Sequence, residues 1–221
     1  NDLTRYASYE IDSSYVNVLT KNELRSIIED QTKRERNIVS SDLDRIKKIQ
    51  TRSVDIQYTA INSPASIVEV RSKYVVPHVY TNVIDLKYLP LKEKKEKFID
   101  MLLPSVLTAA HGIKQTRQRL MAIEDRIDKD KPISKEDSLF RKKLLKDWRA
   151  ENAEELLKEK LITRPISIML AQAALETGWG SSRFFIAANN VFGVWSFDSN
   201  ESRIRALETR DGTPVYVKKY G

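Results

Sequence analysis

The chain of 221 residues is long enough for one ordinary domain with an appendage, or for two small domains. It contains no cysteine and two histidines, which excludes disulfides, thiolate metal sites and a cysteine nucleophile and disfavours a histidine-rich metal cluster. The net charge of +7 fits a polyanionic partner such as nucleic acid, an anionic lipid surface or an acidic polymer, and it equally fits a well-solvated surface.

The first third of the chain predicts helices followed by extended segments. Residues 21–50 place apolar side chains three or four positions apart, as on two amphipathic helices, and Ser40 or Ser41 is available to cap the second. Between residues 54 and 86 the composition changes to β-branched and aromatic side chains. This change predicts short strands or an extended arm, and Pro77 argues against a central strand.

From residue 89 the pattern becomes helical. An apolar stripe from Phe98 to Ile113 predicts a long helix that Pro104 kinks or divides. Ser134, with Asp137 three residues later, resembles an N-terminal cap, and two further helices are predicted over 135–150 and 151–161. Residues 165–176 are apolar almost all round, which predicts a buried helix.

The end of the chain predicts a short helix and a β-hairpin. Ser181 or Ser182 is placed to cap a short helix that ends at Asn189–Asn190. The strand-like segments "VFGVWSF" and "TPVYVKKY" flank the tight-turn dipeptide Asp211–Gly212. The sequence therefore predicts a mainly α fold of the α+β type, with a hairpin appended to a helical body.

The stretch "AQAALETGWGSSRF" ends the apolar helix on a single acid, Glu176, and Gln172 shares its face four residues earlier. Burial and the negative end of the helix dipole are both expected to raise the pKa of Glu176, as a general acid for a glycosidic oxygen requires. Gly178 and Gly180 would let a polymer approach the backbone, and Trp179 offers a ring face to a sugar. From spacing alone, Glu176 is equally well explained as an acceptor for amides of the following turn.

Several residues in and after this stretch have more than one interpretation. Phe184, Phe192 and Trp195 are expected in the core rather than as sugar platforms. Asn189 and Asn190 offer their amides to an acetamido group, or one of them ends the preceding helix. Arg183 is expected to pair with Glu176, to contact carboxylates of a substrate, or to be solvated.

The stretch "AQAALETGWGSSRF" followed by "NNVFGVWSF" resembles the signature of the bacterial glucosaminidase-domain family, and "FIDMLLPSVLTAAHGIKQTRQRL" resembles its Bax-type branch. The resemblance covers about residues 88–221 and implies a lysozyme-like helical domain with a small β-hairpin. It implies cleavage of the bond after N-acetylglucosamine in peptidoglycan, in the periplasm or cell envelope, without a metal or other cofactor. Carried over to this chain, the general acid is Glu176.

The resemblance also implies the remaining site residues. A second acid four residues before the turn glycine matches Glu208 in "ETRDG", with Glu201 and Asp211 as rivals, and a tyrosine of the returning strand matches Tyr220. Family members usually continue through further helices, so residues 89–221 are expected to form a catalytic domain without its C-terminal helices, after an extension over 1–88 of unknown role. The expected substrate contacts are those of Gln172, Trp179, Asn190 and Tyr220.

The sequence is also compatible with other functions. The first is a non-catalytic peptidoglycan-binding or envelope scaffolding protein on the same fold, and the second is a lytic transglycosylase that releases anhydro sugars. A nucleic-acid partner is not expected, because the basic residues are interleaved with acids and no recognition motif is present. No apolar run approaches the ~18–20 residues of a membrane span. The expected partner is the glycan strand, and the oligomeric state is not predicted.

Overall fold

The structure, a computed structural model, describes Tyr6 and residues 9–12, 16–17, 53–151 and 154–220. In this part of the chain five α-helices and a set of small sheets form a mainly α protein, so the predicted α+β, lysozyme-like class is confirmed. The amphipathic helices predicted over 21–50 lie outside the described residues. None of the helices in the described part is long and apolar enough to cross a bilayer.

The helices are α1 Leu91–Ile127, α2 Lys135–Asp147, α3 Glu154–Lys160, α4 Ile166–Thr177 and α5 Arg183–Ala188. The strands are β1 Glu10–Ile11, β2 Val16–Asn17, β3 Ser53–Val54, β4 Gln57–Thr59, β5 Tyr74–Val75, β6 His78–Tyr80, β7 Trp195–Ser196, β8 Arg203–Arg210 and β9 Thr213–Lys218. The short strands predicted after residue 54 are thus present.

The chain divides into two compact units. The first is drawn from Asn1–Tyr15, Ile56–Thr108 and Arg164–Gly221, and it holds every predicted site residue. The second is drawn from Val16–Asp55 and Ala109–Thr163. Residues 56–88, predicted as part of an extension, therefore belong to the same unit as Glu176, and a separate role for residues 1–88 stays a prediction.

Helix α1 runs through both units, and its N-terminal part supplies the core of the first. Pro104 lies inside the helix, which continues to Ile127, so of the two predicted effects the division is excluded and the kink stays a prediction. The fully buried Phe98 ring meets Trp179 edge-on, with 5.6 Å between ring centres, and lies 6.0 Å from Phe185. Other fully buried side chains of this unit are Leu86, Leu103, Leu170 and Val217.

The segment before α1 is tied to that helix by polar contacts. The Val70 N–H donates to Asp100 Oδ1 over 3.0 Å, and Lys97 Nζ donates to the Ile67 carbonyl over 3.3 Å. The hydroxyl of Tyr80, on the parallel β4–β6 pair, accepts a hydrogen bond from the Val68 N–H over 2.8 Å. Burial raises the pKa of the Asp100 carboxyl.

The three-stranded sheet at the end of the chain has the order β7-β9-β8, with both pairs antiparallel. Asp211 and Gly212 both have positive φ, 51° and 74°, as a two-residue type I′ hairpin turn requires, so the predicted turn is confirmed. Arg205 pairs with Tyr216, and Thr209 pairs with Pro214. Four residue steps along β8 therefore lie opposite two steps along β9. This bulge lies in the middle of the hairpin.

The second unit is a small helical cluster. Ser134 caps α2 by accepting a hydrogen bond from the Asp137 N–H over 3.0 Å, which confirms the predicted start. Arg119 pairs with Asp137 over 2.9 Å and covers the ring of Phe140, with 4.3 Å from the guanidinium carbon to the ring centre. The buried residues of the cluster are Leu120, Leu144, Leu145, Ala150, Leu157 and Leu161.

Candidate active site

Glu176 lies in the last turn of α4 with its side chain exposed. The expectation that α4 is buried on all sides is wrong. The helix packs only one face into the core, the face of Leu170, Ala173, Ala174 and Thr177. The opposite face carries Gln172 and Glu176 together with Leu175, which is 83% exposed, so the fold itself does not desolvate the carboxyl.

Thr177, the residue after the acid, fixes the geometry of the helix end. Its buried hydroxyl donates to the Ala173 carbonyl over 2.6 Å and accepts from the Gly180 N–H over 3.1 Å. Gly178 ends the helix in the left-handed conformation, with φ of 57°, and the Trp179 N–H donates to the Ala174 carbonyl. The acid is therefore held beside a turn whose N–H groups, from Gly178 to Ser182, all have hydrogen-bond acceptors.

Gly180 is a packing residue. A Cβ at this position would come within 3.1 Å of both Leu86 and Phe98, and the residue is buried at φ of 81°. The expectation that this glycine opens the backbone to a polymer is wrong, because the side chains of Leu86 and Phe98 occupy that space. The Leu86 N–H also donates to the Gly180 carbonyl over 3.4 Å, so residues before α1 hold the turn after Glu176.

The loop from Asn190 to Val194 lies beside Glu176. A Cβ on Gly193 would lie 3.6 Å from Glu176 Oε2, so the loop backbone is next to the carboxylate. Gly193 adopts φ of 61°, a left-handed conformation that favours glycine. The motif "NNVFG" contains this residue, but nothing in its spacing identifies the contact with Glu176.

Asn190 holds this loop in place. Its side chain is 2% exposed, and Nδ2 donates to the carbonyls of Val194 and Lys218 over 3.0 and 2.8 Å. Its Oδ1 accepts from the Val194 N–H over 2.9 Å. The amide has no exposed group left for an acetamido group, so the structure gives Asn190 a positioning role in place of the predicted substrate contact.

Asn189 connects the end of α5 to two other segments. It caps the helix in the left-handed conformation, with φ of 48°. Its Oδ1 accepts from the Val83 N–H over 3.2 Å, and its Nδ2 donates to the Tyr220 carbonyl over 3.1 Å. Tyr220 lies two residues after the end of β9, its ring partly exposed, and its N–H donates to the Ala188 carbonyl.

The aromatic side chains near the acid differ from expectation. Trp179 is half-buried at φ of 59°, and Lys95 Nζ lies 4.9 Å from its ring centre, so one side of the ring is already occupied. Phe192 and Trp195, expected in the core, are each 48% exposed. Phe192 directly precedes Gly193, and its exposure makes it a candidate sugar contact instead of the predicted core residue.

The candidates for a second acid lie on or near the hairpin. Glu208 is exposed within the bulge of β8, and no ion pair or side-chain hydrogen bond links it to another described residue. Glu201 Oε2 pairs with Lys218 Nζ over 2.7 Å, and this hydrogen-bonded ion pair lowers the pKa of the Glu201 carboxyl. Asp211 occupies the hairpin turn. The pairing of Glu208 with Glu176 stays a prediction.

Arg183 does not pair with Glu176. Its Nη2 donates to the backbone carbonyl of Arg205 over 3.1 Å, and its guanidinium lies 5.7 Å from the ring centre of Phe184. Within the described residues no group of three or more His, Asp or Glu side chains is arranged to hold a metal ion.

Fold and site together define a mainly α, lysozyme-like protein with an exposed carboxylate at the end of a short helix. Residues 150–220 match the model of the glucosaminidase family, described as mannosyl-glycoprotein endo-beta-N-acetylglucosaminidase. The matched segment, from before α3 to the end of the hairpin, covers about a third of the chain and is similar to a family of glycoside hydrolases. No curated protein and no solved structure matches the chain.

Proposed function

We propose that the unit carrying Glu176 hydrolyses the β-1,4 bond after N-acetylglucosamine in peptidoglycan, with Glu176 as the general acid. The observation that carries the proposal is the exposed carboxylate at the end of α4, lying against the loop at Gly193 inside the matched segment. The resemblance of residues 98–120 to the Bax-type branch supports a role in the periplasm or cell envelope.

Glu176 protonates the glycosidic oxygen as the bond to the anomeric carbon lengthens. A sugar bound over the end of α4 covers the carboxyl of Glu176 and excludes water from it. The fold of the free protein leaves this carboxyl exposed. Gln172 lies one turn earlier on the same exposed face and hydrogen bonds the sugar. The exposed Phe192, next to Gly193, and the half-buried Trp179 offer aromatic rings to the sugars.

Glu208 is the proposed partner of Glu176. The role needs a carboxylate free to act on water or on the anomeric carbon, and Glu201 is already engaged by Lys218. A separation of ~6.5–9.5 Å between the two carboxyl groups during the reaction corresponds to inversion, and ~5 Å to a covalent, retaining route. A third route uses the 2-acetamido oxygen of the substrate as the nucleophile and needs Glu176 alone.

Digestion of purified peptidoglycan followed by mass analysis of the products tests this function. New reducing ends on N-acetylglucosamine support the proposal. Anhydro sugars would identify a lytic transglycosylase instead. Binding to the glycan without any product would identify a non-catalytic wall-binding or scaffolding protein.

A further inference from the structure

The register of the terminal sheet gathers basic side chains on one of its faces. Directly paired residues of antiparallel strands project to the same side, and residues two apart along a strand share that side. Arg203 pairs with Lys218, and Arg205 pairs with Tyr216. These four residues form one surface, which we name the basic hairpin face.

The two arginines of the basic hairpin face form no ion pair with a carboxylate of the described residues, although Glu201 lies near enough to Arg203 for a coulombic interaction. Arg203 lies over Tyr216, with 4.1 Å from its guanidinium carbon to the ring centre, so the ring holds this guanidinium in place. Arg205 is exposed. Glu201 is taken by Lys218, and no described carboxylate forms an ion pair with Arg203 or Arg205.

The basic hairpin face is connected to the site of Glu176. The Lys218 N–H donates to the Val194 carbonyl over 2.8 Å, and the Lys218 carbonyl accepts from Asn190 Nδ2 over 2.8 Å. Lys218 is thus bonded to both ends of the loop that brings Gly193 to the carboxylate of Glu176. The strand that carries this face is therefore joined through its backbone to the loop beside Glu176.

A peptidoglycan strand carries short peptides on alternate sugars, and these stem peptides bear carboxylates. Arginine guanidinium groups match carboxylates in charge and in planar geometry. We infer that the basic hairpin face binds stem-peptide carboxylates, so that the protein prefers peptide-bearing glycan to bare glycan. This inference rests on the proposed function and names the part of the substrate that the hairpin recognises.

Binding of fluorescently labelled glycan fragments tests the inference. Fragments with stem peptides, and the same fragments stripped by an amidase, are titrated with Glu176→Gln protein, and the dissociation constants are read from anisotropy. The peptide-bearing fragment binds about threefold to tenfold more tightly, as expected for two exposed ion pairs. The double variant Arg203→Gln/Arg205→Gln loses this preference. Lys142→Gln/Lys143→Gln removes two exposed charges from α2 and keeps it.

Thermal melting establishes that both double variants fold. If loss of the Arg203 stack on Tyr216 prevents folding, Arg205→Gln alone serves, and it reduces the preference by about half on a logarithmic scale. Equal affinity of the parent protein for the two fragments, or equal behaviour of the two double variants, overturns the inference. In that case, cleavage of the fragments by the wild type still supports the proposed function. Absence of cleavage overturns the proposed function and, with it, this inference.

Discussion

Replacing Asn190 with alanine removes the side chain that holds the loop beside Glu176. The amide bridges the two ends of that loop to β9, and every one of its hydrogen bonds goes to backbone groups of Val194 or Lys218. The Val194 carbonyl keeps a second donor, the Lys218 N–H, but the Val194 N–H loses its only partner among the described residues. Gly193 then lacks the support that keeps it against the carboxylate.

The cost of Asn190→Ala follows from these three bonds. Each contributes about 1 kcal/mol net to stability. We therefore expect the free energy of unfolding to fall by about 3 kcal/mol. For a chain of this size that corresponds to a melting temperature lower by about 6–12 °C.

Thermal melting followed by circular dichroism measures the loss, with Asn200→Ala as the control. Asn200 is exposed and its side chain makes no hydrogen bond to another described residue, so its removal changes stability by less than about 0.5 kcal/mol. Wall digestion by Asn190→Ala, measured well below its melting temperature, falls as well, because the loop no longer fixes Gly193 beside Glu176. A melting temperature within 2 °C of Asn200→Ala would refute the role of this amide.

Two further predictions concern Gly193 and Asp100. Gly193→Ala and Gly212→Ala both place a side chain at positive φ, 61° and 74°, so each costs about 1–2 kcal/mol on melting. Only the methyl at 193 meets Glu176 Oε2, so wall digestion by Gly193→Ala falls below that by Gly212→Ala, and equal activities would contradict the contact. Asp100→Asn keeps an oxygen for the Val70 N–H and removes a buried charge, so it is more stable than the wild type at neutral pH. Burial raises the pKa of Asp100 above 3.8, so the stability advantage of the variant is complete above the raised pKa and disappears as the pH falls below 3.8. Thermal melts at several pH values measure this change. An advantage that is constant with pH would contradict the prediction.

Features set by local residue pairs were predictable from the sequence. Ser134 with Asp137 defines the start of α2, and Asp211–Gly212 defines the hairpin turn, because the chemistry of each lies within three residues. The burial of α4 was not predictable, because Leu175 is as apolar as Leu170 and only tertiary packing decides which of them faces the core.

The site was predictable as a segment but not as a set of contacts. The two glycines after Glu176 look alike in the sequence, and only the packing of the distant Leu86 shows that Gly180 serves the core. Asn190 likewise looks like a substrate ligand until its hydrogen bonds to Lys218 and Val194 are seen. The bulge in β8 breaks the two-residue alternation of the strand, so the side on which Glu208 projects does not follow from its position.

The most direct test of the account is the rate of peptidoglycan cleavage by Glu176→Gln, compared with that by Glu159→Gln. Glu159 is an exposed glutamate on α3, so its substitution makes the same chemical change outside the site. Loss of a general acid lowers kcat by about 10²–10⁴-fold, while both variants melt like the wild type because neither side chain is buried. Cleavage by Glu176→Gln at the rate of Glu159→Gln would contradict the assignment of Glu176 as the general acid.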